Sequence, residues 1–224
     1  MGIGTEREGN IHRALKFRYT GIEGETEVPR GGYVCDGISS YGEMIEVQTG
    51  SFGPLKEKIP ELLRLGPVRL IHPVIISKII ETRDSRKKLI RRRKSPRKGT
   101  AWDLFKALVY APELPRLKGL TLEIAPVDVL EKRILDGKGS WRRKGASITD
   151  KSIAEYHESI VLSGLKEYRQ FVPFKKTEIF TVRGLAEKTS ITPEIAGKTL
   201  YVLTKLNITE RVGKEGNAWV YRKK

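Results

Sequence analysis

The chain holds one cysteine, Cys35, in 224 residues, so no disulfide can close within it and nothing in its thiol content points to an oxidising compartment. Histidine is nearly as scarce, with three in all, and His72 and His157 stand at no metal-type spacing from another His or Cys, so a zinc site is not expected. Long apolar runs are missing. The longest, Val74 to Ile76 with its neighbours, is far too short to span a bilayer, and the polar start MGIGTERE lacks the apolar stretch of a secretion leader. These absences predict a cytoplasmic protein with no membrane partner. Acidic residues are also in short supply, 27 against 43 Lys and Arg, which leaves a net charge of +16. Such a surplus attracts polyanions by counterion release and long-range steering. No basic stretch also carries a strong apolar face, which disfavours an anionic membrane as the polyanion.

What is present divides into alternating helical and extended patterns. Residues Glu6 to Arg18 read as a helix, with Thr5 and Glu8 as a capping box and an apolar stripe of Ile11, Ala14 and Leu15. Thr26–Val28, Gly32–Cys35 and Glu43–Gln48 read as short strands. Phe52 to Leu65 reads as a helix that Pro60 should kink or restart. Val68–Ile71 and Pro73–Glu81 are two further strand candidates, Trp102–Tyr110 a short helix, and Leu120–Val129 another strand. The Gly-rich basic segment GKGSWRRKG, 137–145, is the expected domain boundary, and Thr149 to Arg169 reads as a long helix with Ile153, Ile160, Val161 and Leu165 on one side. The order of elements predicts an α/β domain over residues 1–140, followed over 141–224 by a linker helix and a small second domain.

The last 45 residues read most cleanly. Val182–Lys188 is a short helix and Thr189–Ile191 a turn. Thr192 caps a second helix with Pro193 at its first position, where a missing N–H costs nothing. Lys198, Tyr201 and Lys205 share one face of that helix. Ile208–Val212 then pairs with Ala218–Tyr221 across a Gly-rich tip. This order resembles the winged helix-turn-helix family. The resemblance implies that helix 193–206 enters a major groove, and that Lys214, with Arg222, Lys223 and Lys224, meets phosphates. A winged helix used for protein contacts is the alternative.

A sharper constellation lies upstream. Asp36 ends one strand, and Glu46-Val47-Gln48 follows on the next, with Glu46 and Gln48 on one face. Two carboxylates meeting at strand ends suit a hard divalent cation. Here the chain resembles the PD-(D/E)XK nuclease superfamily, in which an Asp is followed by Glu-x-Lys on the next strand, flanked by helices. The resemblance implies a restriction-endonuclease-like mixed sheet and a Mg2+ or Mn2+ ion held by Asp36, Glu46 and the Val47 carbonyl. Glu8 matches an acidic position on the first helix, with His12 one turn later on the same face. Gln48 stands where the family has lysine, and Lys56 or Lys58 on the following helix would supply the missing cation. Cys35 reads as a small buried side chain.

Between Arg83 and Lys98 ten of sixteen residues are Lys or Arg. That run, with Arg91, Arg92 and Arg93 at its centre and Leu89-Ile90 as an anchor, reads as a phosphate-tracking element beside the carboxylates. Trp141-Arg142-Arg143-Lys144 adds an aromatic next to three cations. Together the readings predict a metal-dependent endonuclease of double-stranded or branched DNA, either monomeric or a homodimer. The rivals are a DNA-binding regulator built on an inactive nuclease scaffold, and an RNA-directed protein.

Overall fold

A computed structural model describes residues 9–224. In chain order the elements are α1 (Asn10–Thr20), β1 (Glu25–Arg30), β2 (Tyr33–Ile38), β3 (Met44–Val47), α2 (Leu55–Leu63), β4 (Val68–Arg83), β5 (Leu89–Lys94), α3 (Leu104–Leu108), β6 (Leu120–Leu135), β7 (Ala146–Tyr156), β8 (Ile160–Leu162), β9 (Ile179–Thr181), α4 (Val182–Thr189), α5 (Pro193–Lys205), β10 (Thr209–Glu215) and β11 (Ala218–Lys223).

Eight strands form one mixed sheet in the order β1-β2-β3-β4-β6-β7, with β5 added to β4 and β8 to β6. The strands β1, β2 and β3 form an antiparallel meander, β3 runs parallel to β4, and β4 runs parallel to β6. The β3–β4 pairing follows from α2, because a parallel neighbour needs a crossover. Alternation along β3 sorts its side chains. Ile45 and Val47 join Ile11 and Leu15 of α1, with Ile71 and Val127, in a small core on one face. Met44 joins the larger core on the other face, where Leu55, Ile59 and Leu62 of α2 and Leu104 and Leu108 of α3 pack.

The long strands β4 and β6, of 16 residues each, change neighbours half way. Near their starts they pair with β3 and β8, and near their ends with β5 and β7. The two strand candidates at 68–71 and 73–81 are therefore one strand. Pro73 is accommodated because the β3 ladder ends at Ile71, two residues earlier.

The long helix expected at 149–169 does not form. Residues 146–156 are strand β7, 160–162 are β8, and only 167–171 make a 3-10 turn. β6 offers a ladder on which the β-branched residues Ile148 and Ile153 pair, and tertiary pairing outweighs a weak local helix preference. The segment 137–145 is accordingly the turn of the β6–β7 hairpin rather than a boundary. Asp136 organises it, accepting the Lys138 N–H at 3.0 Å and the Ser147 hydroxyl at 2.9 Å. The expected capping box at Thr5 and Glu8 lies outside the described residues. Helix α1 begins after Gly9, which has no side chain to cap it.

After β8, Tyr168, Phe171 and Val172 are buried and lead into the C-terminal unit. There Thr181 caps α4 through the Gly184 N–H, Ser190 turns the chain with φ 55°, and Thr192 caps α5 through the Ile195 N–H at 3.3 Å. β10 and β11 pair antiparallel and β9 flanks β11. Buried residues of α4 and α5 belong to the same apolar cluster as α2 and α3, so one core runs through both units.

Candidate active site

The β2–β3 ladder stops at Gly37 opposite Ile45, and Asp36 and Glu46 stand one step beyond it. Side chains take over from backbone there. The Val47 N–H donates to Asp36 Oδ2 at 2.7 Å, and the backbone N–H of Asp36 faces the Glu46 carboxylate and favours its charged form. Asp36 thus reaches across to β3, which holds its carboxylate between the two strands beside Glu46. Gly37 makes this approach possible. A Cβ at that position would lie 2.2 Å from Thr20 Cγ2 and 2.5 Å from the Glu25 carbonyl, so only glycine lets β2 pass under the end of α1.

Two basic side chains complete the group. Lys58, from α2, holds Glu46 Oε1 at 2.5 Å, and His12 Nε2, from α1, lies 3.2 Å from Asp36 Oδ2. Glu46 is only 5% exposed, and its second oxygen, Oε2, is buried without a hydrogen-bond partner among the described residues. Burial pushes the Glu46 carboxyl up to about 7, the Asp36 charge adds to the rise, and Lys58 opposes it. Burial acts on Asp36 in the same direction. The hydrogen bond and charge of His12, with the Val47 N–H, outweigh it and hold Asp36 below the usual carboxylate range. Two carboxylates of opposite shift, one with an orphaned buried oxygen, form a donor set that suits a hard divalent cation.

The other sequence candidates fall less closely. The Gln48 side chain is turned into its own loop, with Nε2 donating to the Ser51 carbonyl at 2.7 Å, and the Gln48 carbonyl meets His72 Nδ1 at 2.6 Å. Burial lowers the pKa of His72, so the ring is neutral and Nδ1 carries the proton. Lys56 is exposed and lines a groove with Pro60, Tyr110 and Tyr201, away from the carboxylates, whereas Lys58, two positions on, reaches them. Val47 places its side chain in the small core. Glu8 lies outside the described residues. Cys35 is fully buried, as expected.

The centre of the basic run is not beside the carboxylates. Arg91 and Arg93 pair with Thr82 and Ile80 near the far end of β4, while Glu46 pairs with Leu70. Ten to twelve residues of strand separate them, at most about 40 Å. Leu89 and Ile90 are about half exposed and anchor nothing. The same far end holds the 141–143 turn, where Arg142 lies over the exposed Trp141 ring and Arg143 donates to the Ala146 carbonyl. Two basic segments separated by some fifty residues in sequence therefore meet at one end of the sheet, because β4 and β6 pair along their whole length.

In the C-terminal unit α5 is not a free rod. It packs on α3. Tyr201 and Lys205 line the groove against residues 109–117, Arg116 donates to the Lys205 carbonyl at 2.6 Å, and Lys198 pairs with Glu194. The hairpin is the open part. Trp219 carries Arg211 and Lys214 over its ring, at 4.7 and 4.6 Å. Sequence spacing also hides one grouping. Asp128 and Glu155 are partners across β6 and β7, and His157 Nε2 lies 3.3 Å from Asp128 Oδ1, so the three could share a metal ion.

No helix among the described residues is long and apolar enough to cross a membrane. No solved structure matches this chain. An uncharacterized protein of Treponema pallidum (strain Nichols) is 29% identical over 187 residues, covering 84% of this chain and 74% of that protein. Residues 9–163, from the start of α1 to just past β8, match a family described as Domain of unknown function (DUF8091), and the chain belongs to that family.

Proposed function

We propose that this protein is a metal-dependent nuclease of the PD-(D/E)XK type that cleaves DNA. The observation that carries the reading is the adjoining pair Asp36 and Glu46 at the open end of a β2–β3 ladder, with Lys58 at 2.5 Å and a buried, unpartnered Glu46 oxygen beside it. Support comes also from the order of elements: a helix, an antiparallel meander, a crossover helix and a parallel strand. The amide at position 48 was the strongest argument for an inactive scaffold, and Lys58 answers it by bringing an ammonium group to the carboxylates from the next helix.

Asp36 and Glu46 are the residues that would hold Mg2+ or Mn2+, with the Val47 carbonyl as the family's third donor. Such an ion supplies Lewis acidity toward a phosphodiester and a hydroxide at neutral pH. The chain's own part is positional and electrostatic. His12 keeps Asp36 ionised, and the Asp36 N–H favours the charged form of Glu46. Lys58 sets a fixed positive charge where negative charge grows on the phosphate oxygens.

The C-terminal unit, read as a winged helix, would deliver the domain to duplex or branched DNA. Because α5 rests on α3, the open hairpin with Arg211, Lys214 and Trp219 is its better contact surface, and the basic far end of the sheet, Arg91–Arg93 with Arg142 and Arg143, is a second. The test is Mg2+-dependent cleavage of plasmid and branched DNA by the wild type and by Asp36→Ala, Glu46→Gln and Lys58→Ala. Loss of cleavage in all three is expected. Equal cleavage by wild type and Asp36→Ala would overturn the reading.

A further inference from the structure

Immediately beyond β3 lies a cavity of about 400 Å3. Thr49, Gly50 and Ser51 form one wall, and His72, whose ring proton is held by the Gln48 carbonyl, forms part of another. Thr49 is three residues from Glu46, so the cavity begins within about 11 Å of the carboxylates. Four cations converge on it: Lys78 from β4, Arg97 from the end of the basic run, Lys106 from α3 and Lys151 from β7. Two are paired, Lys78 with Glu131 at 2.8 Å, which Arg133 shares, and Lys106 with Asp103. Arg97 and Lys151 have no ion pair among the described residues.

The fold enforces this convergence. Gly99 donates its N–H to the Ile75 carbonyl at 3.0 Å, and a Cβ there would lie 2.4 Å from that oxygen, so glycine alone lets the 95–99 segment fold back and bring Arg97 to the cavity. Like charges crowded at one cavity raise the energy of the empty protein. Lys151 registers that crowding: burial lowers its pKa, and Lys78 and Arg97 lower it further. An anion entering the cavity relieves it. Val74 of β4 and Ala107 of α3, both in the larger core, give the space an apolar part, and it is of the order of one nucleotide.

We propose that this cavity binds a nucleotide through its phosphomonoester, with the dianion between Arg97 and Lys151 and the nucleoside against Val74 and Ala107. A monoester carries close to two charges at neutral pH and matches two unpaired cations, whereas each diester link inside a strand carries one. The group could be the phosphorylated end of a nucleic-acid strand or a free nucleotide. The first would bring a strand end into a cavity that opens toward the carboxylates and would give the cleavage proposed above a preference for sites near an end, so that part of the inference rests on the nuclease reading.

The experiment uses the full chain in EDTA, so that no cleavage occurs. Fluorescence anisotropy compares single strands ending in phosphate with the same strands ending in hydroxyl, for the wild type, Arg97→Gln/Lys151→Gln and Glu46→Gln. We expect the terminal phosphate to tighten binding by about tenfold or more in the wild type and in Glu46→Gln, from charge-assisted hydrogen bonds to both cations, and the preference to vanish in the double variant. A nucleoside monophosphate that displaces the labelled strand with similar affinity identifies the free nucleotide as the ligand; failure to displace identifies the strand end. Equal binding of both strand types by the wild type, or a preference that survives the double substitution in protein melting at the wild-type temperature, would overturn the cavity assignment. Cleavage assays with Asp36→Ala report on the nuclease reading separately.

Discussion

Lys58 stands 2.5 Å from Glu46 across the gap between α2 and β3, and this is the closest tie between the two layers at the carboxylates. It places the missing cation of the strand motif on a neighbouring helix, two residues past the exposed Lys56. Replacing Lys58 by Gln leaves Glu46 buried with less to balance its charge. Activity on DNA should fall by about 10^2-fold or more, the order seen when one fixed charge-stabilising donor is removed. The acidic limb of the rate profile should also move to higher pH. Arginine at 58 should restore part of the rate. An unchanged profile in Lys58→Gln would separate Lys58 from the chemistry.

Glu46 gives a pH signature. Its carboxyl titrates at about 7 in the folded protein against 4.5 as its ordinary value, so the folded state binds a proton that the unfolded state does not between those values. Its contribution therefore stabilises the protein as pH falls from about 7 toward 4.5, and the charged form weighs against folding above 7. The difference in melting temperature between wild type and Glu46→Gln isolates this group from His72, whose lowered pKa acts in the opposite sense below its ordinary value. Added Mg2+ should raise the melting temperature at pH 8 and lose that effect near pH 5.5, where the proton competes with the ion. A magnesium shift that is the same at both values would exclude Glu46 as a ligand.

Gly37→Ala tests the packing under the site. The added methyl meets the Thr20 side chain and the Glu25 carbonyl, and overpacking of this kind costs about 1–3 kcal/mol. Chemical denaturation should show that loss, together with weakened metal binding as Asp36 shifts. Gly32→Ala makes a useful control for strain without contact, because its added carbon meets nothing within 4 Å although φ is 82°.

The hairpin should dominate contact with duplex DNA. Removing Lys214 should lower the slope of log affinity against log salt by about one, as for one phosphate contact. Trp219→Ala should weaken binding further, since it removes the ring under both Arg211 and Lys214. Lys205→Ala, on the α3 side of α5, should leave the slope nearly unchanged. The reverse order would mean that α5 leaves α3 on binding.

The local patterns carried much of this fold. Strand alternation at 43–48 placed Ile45 and Val47 in the core, and Thr192-Pro193 marked the start of α5 to the residue. Asp36 and Glu46 were legible because their partnership depends on a short turn. The segment 149–169 was misread because helical spacing in one window cannot see the ladder that β6 presents from 20 residues upstream. The same blindness hid Lys78, Lys106 and Lys151, which come from three separate elements and meet Arg97 of the basic run, and it joined Arg91–Arg93 to the carboxylates by charge alone. Asp128, Glu155 and His157 escaped notice because two of them meet only across strands.

The single apolar cluster that holds Leu62 and Leu108 together with Leu185 and Leu203 also sets how this molecule can come apart. Heating should yield one cooperative transition rather than two, since neither half can lose its order without uncovering the flank of the other. Cutting the gene after residue 163, where the family match ends, would leave Trp102 and Phe105 facing water on one fragment and Phe171 on the other. The segment from Tyr168 to Val172 is thus a shared keystone rather than a tether, and both pieces made apart should aggregate unless they are produced together.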